Sequence, residues 1–192
     1  MIAEGSHFDR MPISGPRVKF FSLRGAGAQT TDNPMRREMP KRRDQIRMTD
    51  EDLWSFIDTQ KTVQVATLNP DGSAHLVPLW FAREDQCIIL ETFSKSQKAK
   101  NLFRDSRITL LFEDGREYTD LRGATLYAQA ECVSEVEAVH RFQSMVIRRN
   151  TTDLSEEVIE QASRSMAHKK VAILVRPHKI ITWDHSKLGG IY

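Results

Sequence analysis

Cysteine is scarce in this chain of 192 residues, and it has no long apolar run. Its two cysteines, Cys87 and Cys132, lie inside apolar segments typical of strands, so we interpret them as buried thiols in a reducing compartment. No stretch reaches the roughly 18 consecutive apolar residues that a membrane-spanning helix needs. The apolar segment Val18–Leu23 is short and is interrupted by Lys19, which argues against a secretory signal. The composition therefore predicts a cytoplasmic protein with no membrane partner.

Several chemical motifs are also missing. The histidines lack the spacing of metal ligands, so the sequence predicts no metal site. The segment Gly25-Ala26-Gly27 follows no strand pattern and is not a dinucleotide fingerprint. No catalytic triad or nucleophile elbow is recognisable, so the catalytic residues remain unknown.

Charge divides the chain into two parts. Residues 1–47 carry ten Lys and Arg against five Asp and Glu, whereas residues 48–192 carry 18 against 21. The first part has no sustained periodicity, and we predict that residues 1–47 are a disordered or loosely attached arm. Residues 48–192 are predicted to be the folded domain. Because this domain is mildly acidic, no nucleic-acid partner is expected.

The pattern after Met48 predicts mainly antiparallel hairpins with helices between them. Thr49 is a predicted helix N-cap, and Asn69-Pro70-Asp71-Gly72 is a predicted hairpin turn. Pro78 indicates an edge strand or a bulge. The predicted strands are Val63–Leu68, Ala74–Ala82, Cys87–Thr92, Arg107–Glu113, Thr119–Ser134 and a final pair, Lys170–Val175 with Lys179–Trp183, around Arg176-Pro177-His178. Helices are predicted over Glu135–Arg149 and Ser155–His168. This order favours a small closed barrel, mainly β, with peripheral helices.

The most informative segment is Ile88–Leu102, in which a buried strand leads into the start of a basic helix. Ser94 and Ser96 are good N-cap residues, and Lys98 and Lys100 flank the first turn. A helix N-terminus presents free N–H groups and a partial positive charge, so hydroxyls and lysines there favour phosphate binding. The alternative is an ordinary capped surface helix with solvated lysines.

Four segments, in this order, resemble the pyridoxamine-phosphate oxidase-like split β-barrel superfamily. They are Asn69–Phe81, Thr92–Leu102, Leu121–Val133 and Trp183–Tyr192. Within the superfamily, the chain is most similar to the actinobacterial branch that uses the deazaflavin coenzyme F420. The resemblance implies a homodimeric split β-barrel that binds F420, FMN or a related ligand in a cleft between two subunits.

The resemblance also implies a set of cofactor-binding residues. The phosphate-binding helix start of the family falls on Thr92, Ser96, Gln97 and Lys98, and the strand that lines the flavin falls on His75, Val77, Pro78, Leu79 and Trp80. In the true oxidases that strand supplies two cations to FMN, but the corresponding positions here are His75 and Trp80. Gln97 likewise replaces a basic residue of the oxidase phosphate clamp. These departures argue against tight FMN binding and against pyridoxamine-phosphate oxidation.

Three functions follow from the resemblance. The first is an F420-dependent oxidoreductase that transfers a hydride between reduced F420 and a small conjugated or quinone-like substrate. The second is an FMN-dependent oxidase or reductase of the pyridoxamine-phosphate oxidase type. The third is a non-enzymatic carrier of a flavin, a deazaflavin or a haem-type ligand. A cofactor carries the reactive carbon in hydride transfer, so the absence of a catalytic motif does not exclude an enzyme.

Overall fold

The computed structural model describes residues 42–189, which are mostly β. The strands are β1 (Thr62–Leu68), β2 (Ala74–Trp80), β3 (Ala82–Glu84), β4 (Cys87–Phe93), β5 (Arg107–Asp114), β6 (Arg122–Val133) and β7 (Lys170–Asp184). The helices are α1 (Arg42–Gln45), α2 (Asp50–Thr59), α3 (Gln97–Arg104), α4 (Val136–Asn150) and α5 (Glu156–Ala167). A short 3-10 helix, His185–Leu188, follows β7.

The strands form one antiparallel sheet in the order β2-β1-β5-β6-β7-β4-β3. The sheet curls until its ends approach each other, so that β2 and β4 are in contact without pairing. The result is a half-barrel that stays split between β2 and β4. The split β-barrel implied by the resemblance, mainly β with peripheral helices, is confirmed. The closed barrel favoured by the strand pattern is wrong, because β2 pairs with neither β3 nor β4.

Alternation along the strands places every second side chain inside the barrel. In β1, Val63 and Val65 are fully buried, and α2 adds Leu53, Phe56 and Ile57 to the same core. On the opposite side of the sheet, α4 and α5 pack against the strands β3, β4 and β7. The helices therefore cover one part of the outer face of the sheet.

Helix α2 begins where the sequence predicts. The Thr49 side chain accepts a hydrogen bond from the Asp52 N–H at 3.1 Å, and the Asp52 carboxylate accepts one from the Thr49 N–H at 3.3 Å. This reciprocal capping box satisfies backbone donors that the first helical turn leaves free. The pattern of a threonine followed by acidic residues was therefore a reliable local signal.

The predicted C-terminal strand pair is wrong, because Lys170–Val175 and Lys179–Trp183 belong to one continuous strand. This strand, β7, pairs with β6 along its length. Pro177 lies opposite Ala128 and Lys179 opposite Tyr127, so His178 is an extra residue that forms a bulge. Proline has no N–H to donate, and a bulge lets the strand continue past it.

Two other predicted strand boundaries also differ. The predicted strand Ala74–Ala82 is interrupted at Phe81, which is fully buried with its ring edge on Phe112 at 5.0 Å. Strand β2 therefore ends at Trp80, before the buried Phe81, and the chain continues as β3 from Ala82. The strand predicted to begin at Thr119 begins at Arg122, where the Arg122 guanidinium bonds Asp114 at 2.8 Å. The prediction of an edge position for Pro78 is confirmed, since β2 is the first strand of the sheet.

Most of the predicted arm, residues 1–41, lies outside the described residues. Residues 42–47 are described, and they contact β7: the Ile46 carbonyl accepts a hydrogen bond from the Asp184 N–H at 2.7 Å. The division at residue 47 stays a prediction. Between residues 42 and 189, no helix is long and apolar enough to cross a membrane. No cluster of His, Cys, Asp and Glu suited to a metal ion occurs in the same range.

Candidate functional site

The predicted site residues lie in two segments, on β2 and at the end of β4, and these two strands are in contact without pairing. Strand β2, with His75, Val77, Pro78, Leu79 and Trp80, forms one side of the split. Strand β4 forms the other side and ends at Phe93, where the chain turns into α3. The two segments of the predicted cofactor site thus lie on opposite sides of the split between these strands.

Three of the predicted phosphate-binding residues form a compact group. The Lys98 ammonium donates to the Thr92 hydroxyl, with Nζ and Oγ1 3.1 Å apart. The Thr92 and Ser96 hydroxyl oxygens are also 3.1 Å apart. Thr92 is buried at the end of β4, and Ser96 and Lys98 are half-buried. A cation and two hydroxyls therefore converge on one point beside the split.

Ser96 is the N-cap of α3, and its side chain accepts a hydrogen bond from the Ala99 N–H at 3.3 Å. The other predicted cap, Ser94, has a different role: its hydroxyl donates to the carbonyl of Lys169 at 3.1 Å. The group of Thr92, Ser96 and Lys98 therefore lies at the positive end of the α3 dipole. The direction of the field favours a bound anion there.

Lys98 forms no ion pair with any of the described residues. Glu91 is near enough to act on its charge, but the carboxylate of Glu91 is bound by Lys170 at 2.6 Å. Burial lowers the pKa of Lys98, and Glu91 opposes this effect only in part. A half-buried cation without a partner is costly unless an anion binds to it. The donor set fits a phosphate group, which accepts hydrogen bonds from hydroxyls, ammonium groups and backbone N–H groups.

The β2 residues divide between two faces of the sheet. His75, Val77 and Leu79 are half-buried on the inner face, where Leu79 packs against the core. Pro78 and Trp80 point outward, and the Trp80 side chain is 45% exposed. Since alternate strand residues face opposite ways, a flat ligand on one face of β2 contacts only one of these two sets. A ligand along the strand edge is within reach of both.

Gln97 points away from the compact group. Its amide donates to the Asn101 side chain at 2.9 Å, one turn further along α3. Asn101 is a fully buried amide that sequence reasoning missed. A polar residue inside an amphipathic helix indicates a hydrogen-bonding role only once its partners are known, so the sequence offered no usable signal.

A groove of about 300 Å³ opens beside the hairpin turn. Its lining includes Leu68 of β1, Thr109 of β5, Tyr127 of β6 and His178 of the β7 bulge. All four of these residues lie on strands of the sheet.

The curled sheet and its split define the chain as a split β-barrel, and the group of Thr92, Ser96 and Lys98 lies where β4 leads into α3. The model of the pyridoxamine 5'-phosphate oxidase family matches residues 49–184. The chain therefore belongs to the pyridoxamine 5'-phosphate oxidase family. No curated protein sequence matches it.

Solved structures agree with this assignment. A conserved hypothetical protein of Mycobacterium tuberculosis, Rv2991, is 39% identical, with a TM-score of 0.72 over 79% of this chain and 94% of that one. An F420 reductase is 20% identical, with a TM-score of 0.56 over 69% of this chain and 98% of that one. The haem storage protein HutZ of Vibrio cholerae is 15% identical, with a TM-score of 0.55 over 69% and 94%. The last two similarities concern the fold alone.

Proposed function

We propose that this protein is a cytoplasmic, homodimeric oxidoreductase that uses coenzyme F420 to transfer a hydride to or from a small conjugated or quinone-like substrate. The observation that carries the proposal is the half-buried Lys98 ammonium beside two hydroxyls at the start of α3, with no ion-pair partner in the part of the chain that the structure describes. In a family of oxidoreductase-type barrels, such a group is suited to the phosphate of a cofactor.

Thr92, Ser96 and Lys98 are the proposed phosphate ligands. The hydroxyls donate to phosphate oxygens, the ammonium supplies charge, and the free N–H groups of the first α3 turn add to it. These contacts fix one end of the cofactor at the mouth of the split. Gln97, which is bonded to Asn101, makes a weaker contribution in this proposal.

Strand β2 is the proposed support for the ring system. Because β2 is an edge strand, alternate backbone N–H groups point away from β1 and can bond the ring carbonyls. Two side chains distinguish this strand from the FMN pattern of the oxidases, since His75 and Trp80 stand where cations are expected. This difference is the reason for preferring deazaflavin to FMN.

A second copy of the chain is the proposed partner. The outward side chains of β2 include two large exposed apolar ones, Leu76 at 61% and Trp80 at 45%. Large exposed apolar surfaces mark interaction sites, and an isologous dimer covers such a surface on both subunits at once. The cofactor cleft would then have one wall from each subunit.

When bound, the deazaflavin supplies the carbon that carries the hydride. The role of this chain is to bind and orient the cofactor and to exclude water: Thr92, Ser96 and Lys98 hold the phosphate, and β2 holds the ring. One fold-level similarity, to an F420 reductase, is consistent with the proposal. Because one solved structure of similar fold is a haem storage protein, a carrier role for this chain is the alternative outcome of the turnover test below.

The deciding experiment titrates the purified protein with F420 and, separately, with FMN, following fluorescence. We expect F420 to bind at least about tenfold more tightly, a difference of about 1.4 kcal/mol. Tighter binding of FMN would instead support the flavin-dependent alternative. Binding of neither cofactor would contradict the proposal.

Turnover separates an enzyme from a carrier. Reduced F420 is mixed with a panel of quinones, enones and nitroaromatic compounds, and its reoxidation is followed by absorbance. If the protein is an enzyme, the rate of F420 oxidation rises with the concentration of one of these acceptors. Tight binding without acceptor-dependent oxidation would indicate a carrier.

A further inference from the structure

Asn101 occupies an unusual position in α3. It has no exposed surface, yet its amide uses every hydrogen bond available to it. The amide nitrogen donates to Thr67 Oγ1 at 3.1 Å and to Asn69 Oδ1 at 3.0 Å. The amide oxygen accepts from Gln97 at 2.9 Å and from Arg104 at 3.4 Å.

These four bonds join two parts of the molecule that are distant in sequence. Gln97 and Arg104 belong to α3, whereas Thr67 and Asn69 lie at the end of β1 and in the hairpin turn that follows it. Arg104 adds a second link, since its guanidinium also donates to the carbonyl of Leu68. The hydrogen-bonded group, which we call the Asn101 hub, therefore fixes α3 on the β1–β2 hairpin.

The hub lies between the two halves of the proposed cofactor site. Asn101 follows Lys98 by three positions on the same helix, so the two residues lie on neighbouring parts of α3. Thr67 is the register partner of His75, the first proposed ring-binding residue of β2. A displacement of the hub would thus change the separation between the phosphate ligands and β2.

We propose that Asn101 is a positioning residue that sets the distance between the phosphate-binding start of α3 and the ring-binding strand β2. The proposal rests on the function proposed above and concerns the geometry of the same site. A ligand that is held at both ends gains affinity only when the two subsites match its length, because binding of one end raises the effective concentration of the other. Asn101 contacts neither end and acts through α3 and the hairpin.

The test uses two forms of the ligand. One is F420, and the other is the same deazaflavin ring with its ribityl chain but without phosphate. The ratio of their dissociation constants measures how much the phosphate adds to ring binding. FMN and riboflavin form an equivalent pair if FMN is the tighter ligand.

The first variant is Asn101→Asp, which keeps the shape and removes both donated hydrogen bonds but also adds a carboxylate one turn from Lys98. The uncharged pair of variants described below separates the loss of these bonds from repulsion between the new charge and a phosphate. We expect the affinity ratio to fall at least about fivefold, and affinity for the ligand without phosphate to stay within about twofold. Asn150→Asp is the matched control. Asn150 is also a buried helical amide with two donated bonds, at 2.9 Å to the Phe81 carbonyl and 2.8 Å to the Val146 carbonyl.

The outcomes are distinct. A ratio that falls in Asn101→Asp and not in Asn150→Asp, together with a fall in the uncharged variant Asn69→Ala described below, supports the proposal. An unchanged ratio in Asn101→Asp, or an equal fall in both variants, overturns it while leaving the cofactor assignment intact. If the wild-type protein binds neither F420 nor FMN, the proposed function and this inference both fail.

A milder pair of variants adds no charge to the site and also covers the case in which Asn101→Asp does not fold. Asn69→Ala removes one acceptor of the Asn101 hub from a half-buried turn residue. Asp71→Ala alters the same turn, where Asp71 accepts from Ser73 at 3.0 Å, but does not contact Asn101. The proposal requires a smaller affinity ratio in Asn69→Ala than in Asp71→Ala, and equal ratios would overturn it.

Discussion

Lys98 is the residue on which the proposed cofactor site depends most. Its ammonium lies 3.1 Å from the Thr92 hydroxyl, at the start of α3 and without a carboxylate partner among the described residues. A charge-assisted hydrogen bond contributes about 1.5–3 kcal/mol. We therefore expect Lys98→Ala to weaken F420 binding by roughly 10- to 150-fold in a fluorescence titration. The maximal rate at saturating cofactor should change much less.

Lys100 is the control for Lys98. It lies two positions further along α3, is exposed, and projects from another face of the helix. Lys100→Ala should lower the affinity for F420 clearly less than Lys98→Ala does. F420 binding by Lys100→Ala should also show the same salt dependence as in the wild-type protein. If both substitutions cost the same, or if Lys98→Ala costs nothing, α3 is an ordinary surface helix and the phosphate binds elsewhere.

The charge of Lys98 also predicts a pH dependence. Burial lowers the pKa of Lys98 in the free protein, and a bound phosphate raises that pKa again. Once the pH exceeds the pKa of Lys98 in the free protein, binding of the phosphate requires Lys98 to take up a proton. The affinity for F420 therefore falls as the pH rises through that pKa. Isothermal titration from neutral pH to about pH 10 should show this loss in wild type. The difference between wild type and Lys98→Ala should shrink with rising pH, and a constant difference would contradict the assignment.

Local sequence patterns predicted some of these residues and missed others. Thr49 and Ser96 were found because an N-cap is recognisable from its own residue type and its immediate neighbours. Asn101 was missed because its partners Thr67 and Asn69 are more than 30 positions away. A buried amide and an exposed amide have the same signature in a single sequence. Only the tertiary structure distinguishes them.

At the scale of elements, β7 shows where pattern reasoning fails. Arg176-Pro177-His178 resembles a bend, and the sequence therefore predicted two strands paired with each other. The structure instead accommodates Pro177 with a bulge at His178, and both halves of β7 pair with β6. The sequence correctly predicted that both segments are extended strands, but it predicted the wrong pairing. Strand pairing depends on residues that are distant in sequence, here those of β6.

The junction between α2 and α4 depends on one side chain. The Arg149 guanidinium donates to the carbonyls of Asp58 at 3.1 Å and Gln60 at 2.9 Å, near the end of α2. It also lies over the Phe81 ring, 3.9 Å from the centroid. Arginine thus satisfies carbonyls that the last turn of α2 leaves free, and it connects this helix end to α4.

We expect Arg149→Met to lower the free energy of unfolding by about 2 kcal/mol, because hydrogen bonds from a charged donor are lost. Urea denaturation measures this as a lower midpoint with an unchanged slope. The neighbouring Arg148 is the control, since it forms an exposed ion pair with Glu156 at 2.7 Å. Arg148→Met should cost no more than about 1 kcal/mol. Equal losses of unfolding free energy in the two variants would show that the bonds from Arg149 to the end of α2 contribute no more than an exposed ion pair.

At the scale of the molecule, the outer face of the sheet is covered unevenly. Helices α4 and α5 pack on the side of β3, β4 and β7, while β2 exposes Leu76 and Trp80 at the opposite end of the sheet. The alternation of β2 side chains could be predicted from the sequence, but the exposure of their outer face could not. Exposure depends on where the helices dock, and docking is a property of the whole chain.

The last prediction concerns the homodimer. Because an isologous interface would bring Leu76 and Trp80 from both subunits into a dry contact, a charge at Leu76 is strongly unfavourable there. Leu76→Glu should convert the protein from twice the chain mass of 22.1 kDa to a monomer in light scattering. The same variant should lose F420 affinity, since one wall of the cleft is then missing. Val158→Glu is the control: Val158 is 46% exposed, but it lies on α5, away from β2, so this variant should stay dimeric. A wild-type monomer that binds F420 at full strength would contradict the prediction, and so would a Leu76→Glu dimer.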